Sequence, residues 1–212
     1  MKTVLCYGDS LTWGYDAGSQ SRHAYEDRWP SALEAALGPG VRVIPEGLNG
    51  RTTAYDDHLA DADRNGARLL PTLLATHAPI DLVVILLGTN DMKPFICGSA
   101  LGAKQGMERL AGIVRGIVYP LDMPPPLVLL VAPPPICETD DVEFTEMFAG
   151  SIPESQKLAP FYAALADQVG CGFFDAGTVA KTTPLDGIHL DAANTRAVGE
   201  ALAPVVRVML EL

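Results

Sequence analysis

Apolar positions along the chain follow two rhythms. Short, largely apolar runs at 3–7, 41–44, 81–87, 127–131 and 172–175 read as strands. The run at 81–87 is apolar on consecutive positions, which predicts burial on both faces, as in a parallel sheet. Between these runs apolar residues recur at three and four. A helix pattern starts at Asp27 with Trp29, Leu33 and Leu37 on one face, and Gly38-Pro39-Gly40 closes it. Further helices are expected at 65–77, where Pro71 predicts a kink or a late start, and at 100–118, 154–169 and 191–210. Residues 16–28 are polar and read as a surface loop. Residues 133–153 show no period and carry Pro133-Pro134-Pro135, so they read as a long loop that serves as a lid or binding surface.

Strand and helix thus alternate five times, with no internal repeat and no linker. The pattern predicts one domain over residues 1–212, an α/β fold with a parallel sheet of about five strands and helices on both faces. In such sheets ligands bind in the crevice at the carboxyl ends of the strands. Polar motifs fall at four of those ends: Gly8-Asp9-Ser10-Leu11, Asn49-Gly50, Gly88-Thr89-Asn90-Asp91, and Asp186-Gly187-Ile188-His189.

A serine hydroxyl needs a base within hydrogen-bond reach to act as a nucleophile. His189 is the candidate base for Ser10, and Asp186 the carboxylate that would orient it. The backbone N–H groups of Ser10 and Gly50 and the side-chain amide of Asn90 are candidate donors to an oxyanion. Taken singly, each motif has a plainer reading. Ser10 could cap a helix, Asp186 and His189 could cap the last helix or bind a metal, and residues 88–91 could be a turn. Their joint placement favours catalysis. Candidate pocket residues are Asp9, Leu11, Trp13, Tyr15, Thr89, Phe148 and Ile188, with core packing as the alternative for Trp13. His23, His58 and His77 are expected at the surface.

Composition narrows the partners. A net charge of −11 disfavours nucleic acid and anionic membrane surfaces and suits a neutral or weakly charged substrate. No HExxH or Cys/His spacing supports zinc, and no GxGxxG or P-loop supports a nucleotide, so no cofactor is expected. Cys6, Cys97, Cys137 and Cys171 are expected as free thiols. The N-terminal apolar run is too short for a secretory h-region, and the expected location is cytoplasmic. GxSxG is absent, which argues against the common α/β-hydrolase fold.

The four blocks, with Asn49-Gly50 extended through Arg51-Thr52-Thr53, resemble those of the SGNH hydrolase superfamily, the GDSL esterases. The stretches 5–14, 46–53 and 173–177 are similar to its bacterial arylesterase/acyltransferase branch. The resemblance implies a flavodoxin-like three-layer α/β/α sandwich, a Ser10–His189–Asp186 triad, and an oxyanion hole from Ser10, Gly50 and Asn90. It further implies hydrolysis of short-chain acyl and aryl esters through an acyl-serine, with transfer to alcohols or hydrogen peroxide as well as to water. A homo-oligomer, the octamer included, is implied too. A carbohydrate O-deacetylase and a thioesterase or lysophospholipase are the alternatives within the superfamily.

Overall fold

The computed structural model describes residues 1–119 and 123–212. Five strands form a parallel sheet: β1 (Lys2–Gly8), β4 (Val41–Gly47), β5 (Leu82–Leu86), β6 (Leu127–Ala132) and β7 (Gly172–Asp175). The order across the sheet is β4-β1-β5-β6-β7, which is the flavodoxin-like arrangement. A small antiparallel ribbon, β2 (Tyr15–Asp16) with β3 (Ser21–Arg22), stands apart. The α/β class and the central five-stranded sheet agree with the expectation from the apolar runs.

Alternation within each strand builds two cores. Leu5 and Tyr7 of β1, Val83 and Ile85 of β5, and Val128 and Leu130 of β6 point to one face. There they meet α3 (Gly66–His77), α4 (Ala100–Gly116) and α7 (Leu158–Val169), through Leu70, Leu74, Met107, Leu110, Tyr162 and Leu165. Val4, Cys6, Val84, Leu86 and Val131 point to the other face. They pack on Trp29, Leu33 and Leu37 of α2 (Trp29–Leu37) and on Val198, Leu202 and Val206 of α8 (Ala192–Leu210).

Several local differences have physical causes. Strand β4 runs past Pro45 because it is an edge strand, where a missing N–H leaves no ladder bond unmade on the open side. Helix α3 runs through Pro71, starting at Asn65, whose side chain accepts from the N–H groups of Ala67 and Arg68. The segment 133–153 is not one loop. It holds α5 (Val142–Met147) and begins α6 (Ser151–Ser155), helices too short to leave a readable period. The expected helix over 154–169 is divided between α6 and α7. A continuous helix would need an N–H at Pro160; starting again at Leu158 puts that proline in a first turn, where it is tolerated. Residues 16–28 carry the ribbon and a 3₁₀ turn, and fold back far enough to bury His23, whose Nε2 lies 3.0 Å from the Leu190 carbonyl. Among the described residues, no helix is long and apolar enough to cross a membrane.

Close packing fixes the carboxyl edge of the sheet. Gly8 ends β1 against the first turn of α1 (Ser10–Trp13) and the neighbouring strand; a Cβ there would stand 2.0 Å from Thr12 Oγ1 and 2.7 Å from the Leu86 carbonyl oxygen. The buried guanidinium of Arg51 donates to the carbonyls of Gly8, at 2.8 Å, and Glu46, tying the ends of β1 and β4. Gly8→Ala is therefore expected to lower stability by about 1–3 kcal/mol, the usual cost of overpacking. Urea denaturation measures it, and a change below ~0.5 kcal/mol would contradict the close approach.

Candidate active site

Ser10 lies two residues past Gly8, the end of β1, and opens a four-residue helix. The Asp9 side chain caps that helix by accepting from Leu11 N–H at 2.9 Å. His189 arrives from the far end of the chain, with Nε2 2.8 Å from Ser10 Oγ and Nδ1 2.5 Å from Asp186 Oδ2. The other carboxylate oxygen of Asp186 accepts from the backbone N–H groups of Ile188, at 3.0 Å, and His189, at 2.9 Å. Asp186 is thus held by the turn it begins. Burial pushes its pKa up, but the hydrogen bonds and charge of His189 and these two amides outweigh burial and hold it below the ordinary carboxylate range. An ionised carboxylate only accepts, so Nδ1 carries the ring proton and Nε2 accepts from the Ser10 hydroxyl. The ring stands 4.4 Å from Tyr15 and 6.2 Å, edge to face, from Phe144.

The oxyanion candidates come to the same edge. Gly50 has φ of 80°, a left-handed conformation that suits glycine. The backbone N–H groups of Ser10 and Gly50 donate to nothing among the described residues. Asn90 Nδ2 stands 3.3 Å from Asp9 Oδ2, slightly long for such a bond, and 3.2 Å from the Arg51 carbonyl, at the upper end of the ordinary range.

A cavity of about 230 Å³ is lined by Ser10, Tyr15, Asn49, Gly50, Asn90, Lys93, Phe144, Met147, Phe148, Ile188 and His189. Tyr15, Phe148 and Ile188 therefore lie where a pocket wall was expected. Four other expected residues do not line it. Leu11 packs into the core beside α2 and α8. Trp13 turns to the surface, where the Arg22 guanidinium covers its ring at 4.7 Å. Asp9 is buried beneath Asn90, and Thr89 is buried with its hydroxyl unpaired. Asn49 lines the cavity as part of its strand-end motif, and Lys93, Phe144 and Met147 line it although the sequence reading does not single them out. Phe144, Met147 and Phe148 show the i, i+3, i+4 spacing of a helix face, the one signal that was available. A larger cavity of about 460 Å³ lies beyond Phe144, Phe148 and Ile188 and reaches Asp186 but not Ser10. Ser10 and His189 line the smaller one.

Beneath the site a second carboxylate ties two blocks together. Asp91 accepts from Thr53 N–H at 3.0 Å and from the Thr53 hydroxyl. Burial pushes Asp91 up to about 7 against those donors, with Asp9 adding to the rise. Burial also pushes Asp9 up to about 6, against the Leu11 amide and the nearby His189 and Arg51. Among the described residues no group of three His, Cys, Asp or Glu side chains is arranged to hold a metal ion.

A family model described as the GDSL-like lipase/acylhydrolase family matches residues 6–197. The chain belongs to that family. Solved structures agree. A carbohydrate acetylesterase family member from Sinorhizobium meliloti is 64% identical over 100% of both chains, with a TM-score of 0.99. Est24, a carbohydrate acetylesterase from the same organism, is 42% identical over 99% of this chain and 100% of its own, at 0.94. The M. smegmatis aryl esterase is also 42% identical, over 99% of this chain and 100% of its own, at 0.93. Among curated proteins, none matches.

The raised carboxylates of this family member carry a pH signature. Asp91 binds its proton more tightly folded than unfolded, where its ordinary value is 3.8. Its contribution is therefore fully favourable below that value and is lost as pH rises through about 7. Asp91→Asn removes this titration. The melting temperature of the native chain minus that of the variant should fall as pH is raised from ~4 to ~8. A difference that is flat with pH would contradict the buried, proton-holding carboxyl.

Proposed function

We propose that this chain is a carboxylic ester hydrolase in which Ser10 attacks the ester carbonyl and forms an acyl-serine. The observation that carries the reading is the unbroken hydrogen-bond chain from Ser10 Oγ through the imidazole of His189 to Asp186. As Ser10 attacks, its proton passes to Nε2 of His189, and the buried carboxylate of Asp186 stabilises the imidazolium so formed. The carbonyl oxygen becomes an oxyanion and takes the N–H groups of Ser10 and Gly50 and the Asn90 amide, whose present bonds are weak enough to yield. Each such donor is worth about 10²–10³ in rate. Nε2 then gives its proton to the leaving alkoxide. Water, activated by the same imidazole, attacks the acyl-serine and regenerates the hydroxyl.

The cavity supports short acyl groups and aryl esters. At about 230 Å³ it is smaller than the roughly 300–1,000 Å³ of pockets for drug-sized ligands, and Tyr15, Phe144, Met147, Phe148 and Ile188 make its walls mainly apolar. Apolar walls also favour an alcohol over water as acceptor, so acyl transfer belongs to the proposal, with peroxide as a further small acceptor. A second reading, deacetylation of a carbohydrate, is favoured by the 64% identity to a carbohydrate acetylesterase family member. It uses the same residues and differs only in the alcohol released.

Ser10→Ala should lower kcat/KM for 4-nitrophenyl acetate by at least ~10³-fold, with circular dichroism unchanged. Retained turnover would remove the mechanism, as would failure of a fluorophosphonate to label Ser10 in the native chain. Along a series of 4-nitrophenyl esters, kcat/KM should drop steeply from butyrate to longer chains. An optimum at long chains would contradict the small cavity, and a preference of orders of magnitude for acetylated sugars over aryl acetates would select the second reading.

A further inference from the structure

The cavity beside Ser10 contains a cation that ester hydrolysis, as derived above, leaves unused. Lys93 is held by its backbone: its N–H donates to the Asn90 carbonyl at 3.3 Å, and its own carbonyl accepts from Ile96 N–H at 2.9 Å. Its side chain runs along the cavity, and the residue is only 9% exposed. Lys2, Lys104 and Lys157 each meet a carboxylate. Lys93 is the buried lysine, and its ammonium meets none among the described residues. Two aromatic rings flank it instead, with centroids 5.6 Å away for Phe148 and 5.9 Å for Phe95. Phe148 is a cavity wall and Phe95 is half exposed, so the ammonium lies beside both a wall of the cavity and a ring that reaches solvent.

An ammonium withdrawn from water without a counter-charge is unfavourable. Its pKa is held below the ordinary lysine range by desolvation, although Asp57 and Asp9 act the other way. Packing alone would be served as well by methionine, which already lines the same wall at Met147. The cavity lining includes no Asp or Glu, and Lys93 is the lysine among its lining residues. The ammonium forms no ion pair among the described residues and lies along the space that Ser10 and His189 also line.

Resting on the ester-hydrolase reading, we propose that Lys93 selects esters that carry an anionic group, such as a carboxylate, within reach of the cavity mouth. The ammonium forms a charge-assisted hydrogen bond with that group while Ser10 engages the ester carbonyl. The anion can be on the alcohol or on the acyl side, and two substrate pairs distinguish these. For the alcohol side, 4-acetoxybenzoate is compared with 4-acetoxybenzamide. For the acyl side, mono-4-nitrophenyl adipate is compared with its terminal amide.

The readout is the ratio of kcat/KM for the anionic ester to that for its neutral partner. In one pair, Lys93→Met should lower this ratio about tenfold or more, the worth of a hydrogen bond to a charged group. Lys93→Arg should keep the ratio within about threefold of the native chain, because it keeps the charge. The native ratio should also fall as salt is added. Should the methionine variant not fold, Lys93→Gln carries the same comparison. Unchanged ratios in both pairs overturn the inference. So does an equal loss on both members of a pair, which would mean that Lys93 serves the reaction in general. A native chain that hydrolyses none of the four esters would instead count against the esterase reading itself.

Discussion

Ser10 and His189 are 179 positions apart in the chain, yet one hydrogen bond joins them at the carboxyl edge of the sheet. Every other feature of the site depends on that meeting. It requires β1 to end in a turn tight enough to lift Ser10 out of the core. It also requires the residues before α8 to return across the same edge. Asp186 makes the return rigid, because one of its oxygens closes the local backbone turn while the other holds the imidazole. Beneath this contact Asp9, Asn90, Arg51, Thr53 and Asp91 form a buried polar layer that joins the ends of three strands. Such a layer is stable only if its members are paired, and most are.

Much of this arrangement could be read from residues. Short, largely apolar runs locate the strands, and the meeting of four polar motifs at one edge follows from parallel strands whose carboxyl ends face the same way. What escaped reading depends on contacts between distant segments. His23 looked like a loop residue because nothing near it in sequence shows that residues 16–28 fold back on the start of α8. Trp13 looked like a wall because it follows Ser10, but Arg22 on the ribbon draws its ring outward. Helices of five and six residues leave too few turns for a period, so α5 and α6 were hidden in a stretch that reads as loop. Pro160 did carry the information that divides α6 from α7, through the hydrogen bond it cannot donate.

Charge shows the same limit. A sum of −11 describes the field far from the molecule and argues for neutral ligands. It says little about a crevice where desolvation strengthens whatever charge is present. Within that crevice the buried Lys93 faces the cavity while Asp9 and Asp91 lie beneath it, both raised by burial.

Helix α5 is built differently from the rest. Phe144 and Phe148 stack one turn apart, 6.3 Å between centroids, and form the partition between the two cavities. Neither belongs to the sheet, and neither takes part in the hydrogen bonds that join Ser10 to Asp186. The partition is thus encoded in a stretch of the polypeptide separate from the hydrogen-bonded residues. A change confined to residues 142–148 would therefore reshape both cavities while every hydrogen bond between Ser10, His189 and Asp186 kept its partners.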